Sequence, residues 1–219
     1  MRTLAAVAVA GVLLVGAVVY VVGFTGLLGV RSVEVYGSSA VSAREVRDAA
    51  AVPVGEPLAR LDVGTISRRV GQVPGIQLVR VSRSWPSTVR IDVVERTPVA
   101  VVPRGSGLWL VDVEGVLFQR VPVAPAWLPR LVVARPVATD PASRAALTVI
   151  AALPTPLRRL VQVVEAPTPD SVTLGLRDGR TVVWGGPGES DTKARVLAPL
   201  LSRPGSTYDV STPSVIVLR

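Results

Sequence analysis

The pattern of apolar and polar positions divides the chain at Arg31. Before it, the 27 residues from Leu4 to Val30 carry no charge, more than the ~20 apolar residues that a helix needs to cross a bilayer. After it, short stretches of period-two and helical hydrophobicity alternate. Ser32-Val-Glu-Val-Tyr36 reads as a strand ending at Gly37. Ser42-Ala-Arg-Glu45 forms a capping box and predicts a helix to about Ala51, broken by Pro53, Gly55 and Pro57. Asp62 caps a second helix, with Val63, Ile66 and Val70 at helical spacing and Gly71, Pro74 and Gly75 at its end. Two strands follow, Leu78–Trp85 and Thr88–Glu95. Val79 and Val81 share one face of the first, and Val89, Ile91 and Val93 one face of the second.

The resulting order, β-α-α-β-β, matches the POTRA module, a small α/β unit of envelope proteins that binds other proteins, often by strand addition. From Pro98 the chain becomes rich in strands. Val99–Val102, Leu108–Asp112 and Val116–Phe118 read as strands, with Glu114-Gly115 turning the chain between the last two. Asp140-Pro141 opens a helix that Pro154 stops. Leu160–Val164, Ser171–Leu176 and Arg180–Gly185 are strands, the last two joined by Asp178-Gly179. A helix from Ser190 or Asp191 to about Leu201 precedes two short strands, Thr207–Val210 and Val215–Leu218. The predicted class is α+β. A transmembrane helix leads into a POTRA domain and then into a mixed, mainly antiparallel β-rich domain with flanking helices.

The leading segment has two readings. A secretory signal has an apolar core of ~7–15 residues and a small-x-small cleavage site. This run is longer and ends in Thr25-Gly-Leu-Leu-Gly-Val30, which favours an uncleaved anchor. Arg2 and the chain amine precede the run and Arg31 follows it, so the positive-inside rule gives little bias of its own.

Composition narrows the chemistry. The chain has no Cys and no His. That rules out disulfides, thiolate metal sites and a Cys nucleophile, and it removes the commonest general base and metal ligand. No cofactor or metal site is expected. The net charge is +8, and it is spread: Arg31–Arg96 holds 10 basic and 7 acidic residues, and Thr97–Arg219 holds 13 and 9. Aromatic residues are 4% of the chain, too few for the stacking surfaces of single-strand binders, and no basic stripe marks a nucleic-acid site. Abundant Ala, Val, Arg, Gly and Pro point to a GC-rich genome.

Few motifs could carry chemistry. Ser190-Asp-Thr-Lys193 fits S-x-x-K, the nucleophile motif of penicillin-interacting enzymes. It stands without K-T-G or S-D-N and reads instead as a helix N-cap followed by a surface Lys. Gly185-Gly-Pro-Gly-Glu-Ser190 lacks the G-K-[ST] ending of a phosphate loop and reads as a connector. Asp112 and Glu114 fit turn chemistry better than a catalytic pair. Trp85 and Trp184 read as packing residues before binding hot spots, as do Trp109 and Trp127. Val215-Ile-Val-Leu218 is β-branched and terminal. It is either an internal strand or an edge strand whose free backbone groups invite a partner.

Several stretches, in order along the chain, resemble the FtsQ/DivIB family of cell-division proteins. They are Trp85-Pro-Ser-Thr-Val-Arg-Ile-Asp-Val-Val-Glu-Arg96 with Pro98-Val-Ala100, Val111-Asp-Val-Glu-Gly-Val-Leu-Phe118, the Leu128-Pro129 step before a strand, Leu176-Arg-Asp-Gly-Arg180, Val183-Trp-Gly185 with Lys193, and Tyr208-Asp-Val-Ser211 with Pro213. The resemblance implies a bitopic, non-enzymatic scaffold of the division septum. It would sit in the cell membrane as a single-pass type II protein, with its C-terminal domain extracytoplasmic. Residues 1–3 would be a short cytoplasmic N-terminus, 4–30 the transmembrane helix, 31–97 the POTRA domain and 98–219 the β domain. The implied partners are FtsB-like and FtsL-like division proteins and septal wall-synthesis proteins of the FtsW/FtsI type, with no nucleic acid and no small-molecule substrate. A partner strand would add near Ser214, Val215, Ile216, Val217, Leu218 and Arg219. Two rivals fit less well. An anchored cell-wall hydrolase or transferase lacks His and Cys. A POTRA-bearing translocation subunit would be followed by regular lipid-facing strands.

Overall fold

A computed structural model describes residues 10–17, 19–20, 28–212 and 217–218. Residues 10–17 and 19–20 are helical and exposed; the rest of the expected membrane segment up to residue 27 lies outside the described residues. Among the described residues, no helix is long and apolar enough to cross a membrane. The chain falls into two compact units, Met1–Arg96 and Thr97–Arg219.

The first unit runs β1 (Ser32–Tyr36), α1 (Ala43–Ala50), a 3-10 turn (Leu58–Arg60), α2 (Val63–Val70), β2 (Ile76–Ser84) and β3 (Thr88–Glu95). Both predicted N-cap side chains accept from the first turn. The Ser42 hydroxyl accepts the Glu45 N–H at 3.1 Å, and one Asp62 carboxylate oxygen accepts the Gly64 and Thr65 N–H groups at 3.0 and 3.1 Å. These bonds satisfy donors that the first turn leaves unpaired. The sheet order is β1-β3-β2, with β1 parallel and β2 antiparallel to the central β3. Val89, Ile91 and Val93 line the buried face of β3 beneath Val46 and Ala50 of α1 and Ile66 and Val70 of α2. The 3-10 turn was not expected. It tucks Leu58 fully into this core, after the proline and glycine punctuation that reads in sequence only as a breaker.

The second unit runs β4 (Ala100–Arg104), β5 (Gly107–Val111), β6 (Leu117–Val121), β7 (Arg130–Val132), α3 (Pro141–Ala152), α4 (Thr155–Leu160), β8 (Val161–Glu165), β9 (Val172–Leu176), β10 (Thr181–Gly185), α5 (Ser190–Leu200), β11 (Thr207–Asp209) and β12 (Val217–Leu218). One nine-stranded sheet has the order β12-β11-β10-β9-β8-β7-β4-β5-β6. The pairs β4/β7, β7/β8 and β10/β11 are parallel and the other five antiparallel, so the sheet is mixed and mainly antiparallel. Helices α3 and α5 bring Ala146, Leu147, Ile150, Ala194 and Leu197 into one core with Leu131, Leu174, Val182, Trp184 and Tyr208 of the sheet. A smaller cluster holds Val101, Leu110, Phe118 and Leu128. The short helix α4 follows Pro154, where the sequence signals only a helix stop. Pro156 sits in its first turn, where the missing N–H costs nothing. Strand β8 accordingly starts at Val161 rather than Leu160.

Candidate functional site

The candidate surface is the margin of the nine-stranded sheet formed by β12. Its Val217 lies opposite Asp209 and its Leu218 opposite Tyr208, antiparallel to β11. Strand β12 ends the strand order, so among the described residues one side of its backbone faces no strand of the sheet. Of the six expected partner-binding positions, Val217 and Leu218 belong to this strand. Ser214, Val215, Ile216 and Arg219 lie outside the described residues.

A polar frame braces the platform under this strand. Asp178 and Gly179 turn the chain between β9 and β10, and the Asp178 carboxylate accepts the Arg180 Nε–H at 2.7 Å. So aligned, Arg180 donates through Nη1 to the Leu201 carbonyl at the end of α5 (2.8 Å) and to the Tyr208 hydroxyl (3.1 Å). That hydroxyl in turn reaches the carbonyls of Arg203 at 2.7 Å and Gly205 at 3.1 Å. The backbone Arg180 N–H, followed by its guanidinium, holds the Asp178 carboxyl below the ordinary carboxylate range. Beyond Tyr208, Asp209 accepts both the backbone N–H and the hydroxyl of Ser211, at 2.9 and 2.7 Å.

The link from β10 to α5 is equally constrained. Gly185 has φ +74°, and a Cβ there would stand 2.9 Å from the Ser211 Cβ, so glycine is required both by backbone sterics and by contact with the β11 segment. The Ser190 hydroxyl donates to the Pro187 carbonyl at 2.7 Å and accepts the Trp184 indole N–H at 3.1 Å. Lys193 donates to the Trp184 and Gly186 carbonyls at 3.0 and 2.8 Å. It is only 4% exposed, and burial pushes its pKa down.

The expectations for Lys193 and Ser190 change here. Lys193 is a buried structural cation, not a surface lysine. Ser190 is the first helical residue, and Glu189 occupies the cap position without a side-chain bond. The S-x-x-K pair is thus bonded into the frame: the serine proton points at a carbonyl and the lysine donates to two others. No helical periodicity signals this, because a lone Lys in a polar run looks solvated. The glycine-rich connector also behaves unlike a phosphate cradle, since the carbonyls of Gly186 and Pro187 accept from the protein itself. Asp112 is a turn residue, its Oδ1 accepting the Glu114 and Val116 N–H groups at 3.0 and 2.9 Å. Trp184 is a packing residue, fully buried. Trp85 and Trp127 depart from expectation, at 52% and 56% exposed. Among the described residues no cluster of acidic side chains could hold a metal ion.

A β-α-α-β-β unit followed by a mixed sheet with an open margin defines a POTRA-bearing protein with a second, strand-rich domain. Family models agree: "POTRA domain, FtsQ-type" matches residues 28–96 and "Cell division protein FtsQ/DivIB, C-terminal" matches residues 100–214. The chain belongs to the FtsQ/DivIB family of cell-division proteins. Its relatives include actinobacterial FtsQ proteins. Cell division protein FtsQ of Mycolicibacterium smegmatis is 44% identical over 192 residues, covering 88% of this chain and 57% of that protein. FtsQ of Mycobacterium tuberculosis H37Rv is 41% identical, covering 88% and 61%. FtsQ of Streptomyces bingchenggensis is 40% identical, covering 97% and 84%. The chain thus spans about three fifths of the length of its mycobacterial relatives. A solved structure, the major extracytoplasmic domain of the trans isomer of DivIB from Geobacillus stearothermophilus, aligns at 18% identity and a TM-score of 0.38, over 56% of this chain and 98% of that one.

Proposed function

We propose that this protein is a bitopic scaffold of septal division, held in the cell membrane by the apolar run that begins at Leu4, with the folded parts of both units outside the cytoplasm. It joins FtsB-like and FtsL-like proteins to the FtsW/FtsI-type wall-synthesis machinery and performs no chemistry of its own. The observation that carries this reading is the open margin at β12, on a platform fixed by Arg180, Tyr208 and Lys193. Edge N–H and C=O groups accept an incoming strand through backbone bonds, and alternate side chains then set specificity. The proposed contact runs over Ser214–Arg219. The non-enzymatic reading draws on the bonding of Ser190 and Lys193, which leaves neither poised as nucleophile or base.

The test is co-purification of the full-length chain with an FtsB-like partner, comparing the wild type with Ile216→Pro and with a chain ending at Pro213. A proline removes a donor and collides with the ladder. Binding is expected to be lost with a modest drop in melting temperature, whereas Val215→Ile should retain it. Unchanged binding in both variants would place the interface elsewhere and sink the edge reading.

A further inference from the structure

Three segments of the first unit converge where the apolar run ends. The first is the run's own exit. Gly29 bridges Pro57, the Val30 N–H donates to the Glu56 carbonyl at 2.9 Å, and the Gly55 N–H donates back to the Val30 carbonyl at 2.8 Å. The second is therefore the 52–57 loop, pinned by these bonds against the last apolar residues. The third is the tip of the β2–β3 hairpin. The Arg31 N–H donates to the Ser87 carbonyl at 2.8 Å, and the parallel register sets Ser32 beside Thr88. Val30 itself is buried in the core, so the exit is built into the fold.

Each of the two pinned segments presents an apolar side chain that the core does not use: Val54, 79% exposed, and Trp85, 52% exposed. Exposed arginines accompany them. Arg31 follows the run, Arg60 lies in the 3-10 turn, and Arg83 precedes the hairpin tip, reaching the Leu61 carbonyl at 2.8 Å. Glu56 is the one carboxylate of the 52–57 loop, and it is half-buried. Exposed apolar side chains with arginines nearby in the chain are what an interfacial contact needs. Trp favours the headgroup level, where its ring is amphipathic, and arginine attracts anionic headgroups.

We infer that this end of the first unit docks on the bilayer surface, with Val54 and Trp85 inserted at the headgroup level and Arg31, Arg60 and Arg83 on anionic lipid. The inference rests on the membrane-anchor reading above. The position of the run fixes the occupant: if the run crosses the bilayer, the lipid surface begins just ahead of Val30 and Arg31, to which the 52–57 loop and the hairpin tip are respectively hydrogen-bonded. Docking would set the orientation of the POTRA unit on the bilayer.

The absence of Cys makes the test clean. Single cysteines are placed at Val54, at Trp85 and, as a control, at exposed Gln72, which follows α2 at the opposite end of the sheet, the length of the nine-residue β2 away, roughly 30 Å. Each full-length variant is labelled with an environment-sensitive fluorophore and reconstituted in nanodiscs of phosphatidylcholine and phosphatidylglycerol, with and without spin-labelled quencher lipid. Labels at positions 54 and 85 should lose about half their emission or more to the quencher, and the label at 72 little. Trp85→Glu combined with Val54→Glu, read through a label at Ser87, should abolish the quenching while the melting temperature holds. If the chain is integral to the nanodisc and the labels at 54 and 85 stay unquenched, the inference is overturned and the anchor stands. A chain that fails to integrate overturns both. Unquenched labels that respond instead to an added FtsB-like partner would assign Trp85 to a protein contact and overturn the lipid docking.

Discussion

Single polar side chains hold this fold at points where backbone donors would otherwise be orphaned. Glu95 is one. Its burial opposes ionisation, yet it accepts the N–H groups of Ser39, Val41 and Ala40 and the Ser39 hydroxyl, and the sum holds its pKa at about 2 against an ordinary 4.5. These bonds tie the loop ahead of α1 to the end of β3. Because the folded pKa is depressed, the contribution to stability is complete above pH 4.5 and is lost as pH falls from there through 2. Denaturant melts of wild type and Glu95→Gln between about pH 6 and about pH 2.5 should show the wild type losing about 1–2 kcal/mol more than the variant, after discounting for solvent screening. Parallel losses would remove Glu95 from the acid response. Ser190 is a second point. Ser190→Ala leaves the buried Trp184 N–H without its acceptor and should cost about 1–3 kcal/mol, visible as a changed Trp near-UV signal. Partner binding is expected to persist at a temperature where the variant stays folded. Loss of division function in a fully folded Ser190→Ala protein would reopen the enzymatic reading.

At the level of elements, alternation and caps were legible and tertiary burial was not. Val89, Ile91 and Val93 announce the buried face of β3 because a strand repeats every two residues, and Ser42, Asp62 and Asp140 announce helix starts because their side chains accept first-turn N–H groups. The 3-10 turn at Leu58 and helix α4 escaped, since proline punctuates both and its two uses, stopping a helix and starting one, look alike in sequence. The last strand was legible as a β-branched terminal run, but its place in the strand order depends on β11 lying parallel to β10, a long-range pairing with no local signal. The frame beneath it was invisible for the same reason. Lys193 is buried only because α5 folds back over β10. Lys193→Ala should therefore act as a core substitution, removing two hydrogen bonds to carbonyls and lowering stability by about 2–4 kcal/mol. A urea melt reads this directly, and a change under about 0.5 kcal/mol would mean that the lysine is solvated after all.

For the molecule as a whole, each unit closes its own core without a disulfide, so neither fold depends on the redox state of its compartment. Placement then turns on the uncharged run ahead of Arg31. As a helix the part of it ahead of Leu28, residues 4–27, would rise about 36 Å, against a hydrocarbon thickness of about 30 Å, so it can span with tilt. A cleaved signal would need a shorter apolar core and a small-x-small site. The long folded remainder can be translocated whatever its charge, and the +8 net charge favours an anionic surface over a neutral one. Membranes from cells expressing the full chain should therefore keep it in the pellet after alkaline carbonate. Protease added to intact spheroplasts should digest the part beyond Arg31, leaving the cytoplasmic marker proteins whole. Release by carbonate would remove the anchor, and protection in intact spheroplasts with digestion only after lysis would invert the topology, putting the β12 margin out of reach of any extracytoplasmic partner.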